Sequence, residues 1–262
     1  MAPRRQLLCI EGNVGAGKTT MLRRLAAHYA GEAGVGGLAF LSEPVELWNK
    51  CGALNAMYDG TLPVSTFQML ALQSRGHALR LALRRQQCTV AVCERSVWTD
   101  AFVFASAFLE SQQALSAYGV AFEMEKEEIF EAAGGAPDVI FVYLDADVDA
   151  CAARVAERAR GSETAKLSMD RLNLIKQKHD DLFHDHASEG LDTVVDPLGR
   201  ARVDTHRLPA TSLEELDKAL YRIIDILEDA RERATARTAD VDSPSSSMHD
   251  LNQRAAKLAT GP

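Results

Sequence analysis

Nothing in this sequence offers the roughly 20 consecutive apolar residues that a helix needs to cross a bilayer, so no membrane-spanning helix is expected. Cysteine is scarce. The five present (Cys9, Cys51, Cys88, Cys93 and Cys151) show neither paired Cys-x-x-Cys ligands nor a disulfide-rich framework. Several lie in apolar runs, where free cysteine packs as a small hydrophobe, which fits a reducing compartment. Positive charge is in deficit as well. Lys and Arg number 29 against 37 Asp and Glu, a formal net charge of -8, so nothing draws the chain as a whole to a nucleic acid polymer or an anionic membrane. An anionic substrate would need a locally basic site. Repeats of solenoid length are also missing. Met1 to Arg5 is basic, but an apolar strand pattern begins at Gln6 and leaves no space for a removable presequence, so a cytoplasmic location is expected.

What is present is a length of 262 residues with 47% hydrophobic content, enough for one large domain with a sizeable core. Short apolar runs at Leu7 to Ile10, Leu38 to Leu41, Thr89 to Cys93, Val139 to Leu144 and, weakly, Ala201 to Val203 read as strands. Helical patterns separate them: Lys18 to Ala30, Thr66 to Gln86, Val97 to Leu109, Phe122 to Ala132, Val148 to Arg160 and Ser168 to His184. Such alternation predicts an α/β fold with a parallel sheet wrapped by helices. Ser212 and Glu215 have capping-box spacing, and Leu213, Leu216, Leu220, Ile223 and Leu227 form an apolar stripe, so the last helix packs on the core. Beyond it periodicity fades into a polar, serine-rich stretch. The expected division is a domain over residues 1–228 and a disordered tail over 229–262.

Gly12-Asn13-Val14-Gly15-Ala16-Gly17-Lys18-Thr19 fits the pattern Gly-x-x-x-x-Gly-Lys-Ser/Thr and lies between a strand and an amphipathic helix, the context its mechanism requires. The glycines let successive N–H groups point at phosphate oxygens. Lys18 is placed to reach the β- and γ-phosphates, and the Thr19 hydroxyl to serve Mg2+, at the positive end of the helix dipole. Binding of a nucleoside triphosphate such as ATP follows.

The second strand ends in Ser42-Glu43-Pro44, which puts a carboxylate where an open α/β sheet gathers its substrates. Glu43 can take the proton of a hydroxyl attacking the γ-phosphate; taken alone it reads equally well as a surface glutamate before a proline turn. The third strand ends at the same edge in Cys93-Glu94-Arg95-Ser96. Glu94 can hold magnesium through its waters, and Arg95 can neutralise charge on the transferred group. Arg154 and Arg158 share a helical face and Arg160 follows just before Gly161, a pattern for a phosphate-grasping lid or for a solvated helix face. Asp145 competes with Glu94 for magnesium but also reads as part of a helix cap. His179, His184 and His186, interleaved with aspartates, match no metal-ligand spacing and are expected to face solvent.

In combination these residues resemble the deoxynucleoside kinases of the deoxycytidine and deoxyguanosine kinase type. The resemblance runs from Gln6 to about Leu227 and rests on the phosphate loop, Glu43-Pro44 with Trp48, Tyr58, Phe67-Gln68 with Ser74-Arg75, Glu94-Arg95-Ser96 with Asp100 and Phe104, and Arg154 to Glu163. It implies a P-loop kinase fold, a five-stranded parallel sheet surrounded by helices. Glu43 would be the general base, Lys18, Arg95, Arg158 and Arg160 would contact phosphates, Thr19 and Glu94 would serve Mg2+, and Arg154 would belong to the lid beside the nucleotide. Tyr58 and Glu163 would hold the sugar 3′-hydroxyl, while Gln68 would read a base enclosed by Trp48, Met57, Phe67 and Phe104. A homodimer is implied too. Gln112 to Gly135 and the loop after Asp204 depart from the family pattern.

By the same resemblance Arg75 and Asp100 lie beside the base. An ionised Asp100 only accepts hydrogen bonds, which favours the exocyclic amino group of cytosine or adenine over the carbonyl of thymine. The expectation is an ATP-dependent deoxynucleoside kinase favouring deoxycytidine and purine deoxynucleosides over thymidine. Two rivals are a thymidylate-type nucleotide kinase and an inactive structural relative. Glu43 and Glu163 oppose the first by suiting a neutral sugar hydroxyl, and the presence of Lys18, Glu43 and Arg95 opposes the second.

Overall fold

The computed structural model describes residues 5–30, 37–157, 167–184 and 203–242. Five strands, β1 (Gln6–Gly12), β2 (Leu38–Leu41), β3 (Val90–Glu94), β4 (Asp138–Asp145) and β5 (Val203–Pro209), form one sheet in the order β2-β3-β1-β4-β5, and every pairing is parallel. β1 is central, so its seven residues are all buried, which is why it reads as a run rather than an alternation. Leu7 and Cys9 point into one core layer and Leu8 and Ile10 into the other. Burial of each such aliphatic side chain contributes about 1.5–3 kcal/mol.

The Leu7 layer is covered by α4 (Val64–Leu83), α7 (Gln112–Ala133) and α9 (Met169–His184), with Trp98, fully buried, at its centre. The Leu8 layer is covered by α1 (Lys18–Tyr29) and α10 (Leu213–Asp242) through Met21, Leu25, Ile223 and Leu227. A third, smaller apolar cluster forms outside the sheet. There α2 (Val45–Lys50), α3 (Ala53–Tyr58) and the start of α4 bring together Trp48, Phe67 and Ala71, with Trp48 and Phe67 edge to face at 5.3 Å.

Several elements differ from the sequence reading. α2 and α3 are too short to show a helical period. The fourth helical pattern begins ten residues early, because Ser111 caps α7 by accepting from the Ala114 N–H at 3.0 Å. Val97 to Leu109 is not one α-helix: α5 (Val97–Thr99) widens into a π-helical segment (Asp100–Ala105) before α6 (Ser106–Phe108). β5 lies later than expected and is rich in polar residues, which an edge strand tolerates because only β4 neighbours it. α8 (Val148–Glu157) begins where expected, and the segment that follows it lies outside the described residues.

The capping box at Ser212 and Glu215 is formed, with Ser212 N–H donating to Glu215 at 2.9 Å and Glu215 N–H to Ser212 at 3.1 Å. α10 then continues past Asp229, where a disordered tail was expected, as far as Asp242. Ala230 and Ala234 are buried, and the Gln6 amide at the start of β1 donates to the Ala230 carbonyl at 2.7 Å. Small side chains hide the periodicity there while permitting close packing and strong helix propensity. Ending the chain after Glu228 would leave the Gln6 donor unsatisfied, at a cost of about 1–3 kcal/mol. The thermal midpoint of such a protein should fall by at least about 2–4 °C, as read by circular dichroism.

Candidate active site

The strand-to-helix turn after β1 is shaped by glycine. Gly12 has φ 143°, and a Cβ there would lie 2.7 Å from the Leu144 carbonyl oxygen; Gly17, at φ 101°, precedes the first residue of α1. Asn13 braces the loop by donating to the Leu172 carbonyl at 2.9 Å and accepting from Val14 N–H at 2.8 Å, and Ala16 N–H donates to Asn13 O at 3.2 Å. Lys18 curls back to donate to the carbonyls of Gly12 (3.0 Å) and Asn13 (2.7 Å). Burial, with Arg95 adding to it, pulls the Lys18 ammonium down to about 7 against the pull of Glu43, Glu94 and Glu11. A phosphate brought to this loop favours the charged form.

Glu43, Glu94 and Arg95 meet at the C-terminal edge of the sheet, as their strand ends require. Thr19 donates its hydroxyl to Glu94 at 2.5 Å, so these two oxygen groups sit side by side. Among the described residues no group of three or more His, Cys, Asp or Glu could hold a metal ion. A pair of hard oxygen donors instead suits Mg2+, which keeps several waters and takes its other ligands from phosphate. Glu43 accepts from Arg75 at 3.1 Å and pairs with Arg95 at 3.4 Å. Burial pushes the Glu43 carboxyl up, but Arg95, Arg75 and Lys18 together outweigh it and hold the group below the usual glutamate range. Arg95 adopts φ 67°, and its guanidinium lies 4.5 Å from the Phe104 ring centroid.

Arg75 is the hub. It forms a two-pronged pair with Asp100 (2.7 and 3.2 Å), donates to the Glu94 carbonyl at 3.0 Å and reaches Glu43. Asp100 and Glu43 fix the guanidinium in its charged form against the effect of burial. Burial also pushes the Asp100 carboxyl up, opposed by Arg75. The π-helical turn carries both Asp100 and Phe104, so the local widening of the helix serves the site.

One cavity of about 1090 Å³ joins these groups: Val14, Gly15, Gly17, Lys18 and Thr19 line one end, and Trp48, Met57, Tyr58, Phe67, Gln68, Arg75, Asp100 and Phe104 the other, with Glu43, Glu94 and Arg95 also in its wall. Among the described residues the Gln68 side chain makes no hydrogen bond, which leaves its amide available to the cavity. Arg158, Arg160 and Glu163 lie outside the described residues. Arg154 also borders the cavity, but its guanidinium is directed to the carbonyls of Ala210 (3.0 Å) and Thr211 (2.6 Å) and, at 3.4 Å, Gly15.

Two weaker candidates are displaced. Asp145 pairs with Lys176 at 2.9 Å and Arg207 at 2.8 Å rather than sharing the Thr19 and Glu94 pair. His179 does not face solvent: it is fully buried, hydrogen-bonded to the Ile175 carbonyl at 2.8 Å and stacked on Tyr143, and burial holds it neutral. His184 and His186 lack described side chains. Sequence reasoning passed over Arg171, which lines the cavity from the first turn of α9, and Glu11, buried just before the loop. The signal for Glu11 was a single acid closing an apolar strand.

Gly12→Ala would force a Cβ onto backbone that cannot move aside. ATP affinity should fall at least about tenfold by isothermal titration, equivalent to 1.4 kcal/mol. Unchanged affinity would show that the loop does not need this close approach.

Comparison with known proteins agrees with the geometry. The thymidine kinase of Ictalurid herpesvirus 1 (strain Auburn) is 28% identical over 183 residues, covering 68% of this chain and 74% of that protein. A sequence model of the deoxynucleoside kinase family matches residues 8–215, which take in four strands whole, all but the first two residues of β1 and the whole described cavity wall, so the chain belongs to the deoxynucleoside kinase family.

Proposed function

We propose that the protein transfers the γ-phosphate of ATP to the 5′-hydroxyl of a deoxynucleoside, with Mg2+, in nucleotide salvage. The observation that carries this reading is the Glu43 carboxylate, held at 3.1 and 3.4 Å by two arginines in the same cavity wall as the Lys18 loop. A carboxylate kept ionised in that place can accept the hydroxyl proton as the oxygen attacks phosphorus. Lys18 and Arg95 supply positive charge where it develops. Thr19 and Glu94 would hold Mg2+, which when bound neutralises phosphate charge. Arg158 and Arg160 are proposed to add to this, and Tyr58 with Glu163 to hold the 3′-hydroxyl. That Lys18, Glu43 and Arg95 converge speaks against an inactive relative.

For the base, the buried Arg75–Asp100 pair supports deoxycytidine and purine deoxynucleosides over thymidine, since the carboxylate accepts from an exocyclic amino group. The viral relative's name supports thymidine instead. Assay of all four natural deoxynucleosides with ATP and Mg2+ decides: a preference for thymidine over the other three would overturn this assignment of the pocket. A cytoplasmic homodimer is proposed as the working form. Val120 and Met124, one turn apart on α7, are each 63% exposed and offer an apolar face for the contact.

Glu43→Gln should lower turnover about 10²- to 10⁴-fold while deoxynucleoside affinity changes less than about twofold. Turnover within about twofold of the parent would remove Glu43 from the base role. Arg75→Met with Asp100→Ala should raise the kcat/KM of thymidine relative to deoxycytidine. Because Arg75 also supports Glu43, absolute turnover should fall with both substrates.

A further inference from the structure

We propose that Glu11 is a positioning residue for phosphoryl transfer, clamping the Arg95-to-Thr99 turn, and with it the Arg95 guanidinium, against the phosphate loop. The inference rests on the kinase reading above. Three consecutive residues at the end of β1 hold that turn. The Ile10 carbonyl accepts from Arg95 N–H at 3.0 Å, the Gly12 carbonyl accepts from Arg95 Nη1 at 3.1 Å, and between them the Glu11 carboxylate accepts from the Thr99 hydroxyl at 3.0 Å.

The clamp answers a specific demand. Arg95 is the one non-glycine among the described residues with positive φ, and such a conformation costs about 1–3 kcal/mol and persists only where its surroundings impose it. The turn is internally closed by the capping box of Ser96 and Thr99, and Glu11 ties that box to β1 by accepting from the Thr99 hydroxyl, beside the Arg95 bond to the Gly12 carbonyl.

Glu11 is also costly, which argues that it is not there for packing. It is fully buried, and its Oε1 has no hydrogen-bond partner among the described residues. Burial pushes its carboxyl up to about 7, against the charges of Arg95 and Arg75 and the Thr99 hydrogen bond. An apolar residue would simply continue the run from Leu7 to Ile10 without that cost. What an acid adds is a strong acceptor for the turn and a negative charge that draws Arg95 toward β1. Misplacing a charge-stabilising group by about 1 Å can cost 10²-fold in rate.

Four variants test this with ATP, Mg2+ and the best deoxynucleoside of the unmodified protein: Thr99→Val, Thr99→Ser, Glu11→Gln and the Glu11→Gln/Thr99→Val pair. Thr99→Val keeps the shape and removes the donor; kcat should fall at least about tenfold with both KM values within about twofold. Thr99→Ser, which restores the hydroxyl, should stay within about twofold of the parent. Glu11→Gln should lower kcat at least threefold, and the loss in the double variant should fall well short of the product of the two single losses, because both act on the Thr99 contact. A folded Thr99→Val enzyme with parental kcat, a Thr99→Ser enzyme as impaired as Thr99→Val, or additive losses in the double variant would overturn the proposal. If Thr99→Val fails to fold, parental kcat in Glu11→Gln does so instead. An unmodified protein inert toward all four deoxynucleosides would overturn the kinase reading and this inference with it, whereas an active one with unaffected variants would overturn this inference alone.

Discussion

A single guanidinium ties the acceptor half of the site together. Arg75 joins Asp100 of the π-helical turn, Glu43 at the end of β2 and the carbonyl of Glu94 at the end of β3, so three elements are registered by one rigid fork of donors. Arginine suits the task because its planar donors match two carboxylates at once and its charge survives burial. On the proposed reading, this arrangement would make base selection and catalysis interdependent. The residue that holds Asp100 also helps keep Glu43 ionised, and a change at either end leaves a buried carboxylate short of its counter-charge.

The sheet explains why those groups meet. In a parallel sheet all strands end at the same edge, and the order β2-β3-β1-β4-β5 puts the phosphate loop between the β3 side and the β4 side. Glu43, Glu94 and Gly12 therefore project from adjacent strand ends, although 31 residues separate Gly12 from Glu43 and 51 separate Glu43 from Glu94. The two faces have different duties. α1 and α10 cover one side with mainly aliphatic packing, whereas the opposite side carries α4 and the widened turn, and with them Gln68, Arg75, Asp100 and Phe104.

Strain concentrates at the same edge. Gly12 and Gly17 hold positive φ, and Arg95 holds it without the freedom of glycine. Each is fixed by neighbouring backbone carbonyls or by close contact, which leaves the site preorganised at the cost of local stability. Arg154 illustrates the other use of cations here: its guanidinium fastens α8 to the Ala210 and Thr211 carbonyls at the end of β5.

By itself the sequence determined the elements whose signals are local. The phosphate loop shows in its glycine spacing, β1, β3 and β4 show as apolar runs because both faces are buried, the half-buried β2 shows as a shorter one, and the start of α10 shows in its capping box and stripe. Glu43, Glu94 and Arg95 could be named because polar residues at or just beyond the C-terminal end of a strand in a parallel sheet must lie at the sheet edge. Only the tertiary structure decided what depends on distant partners. The π-helical widening at Asp100, the burial of His179 against Tyr143, the capture of Asp145 by Lys176 and Arg207, and the continuation of α10 through Ala230 each arise from packing between segments far apart in the chain. Periodicity and composition report a residue's own neighbours along the chain, whereas ionisation, burial and helix register are set by whichever groups the fold brings within a few ångströms.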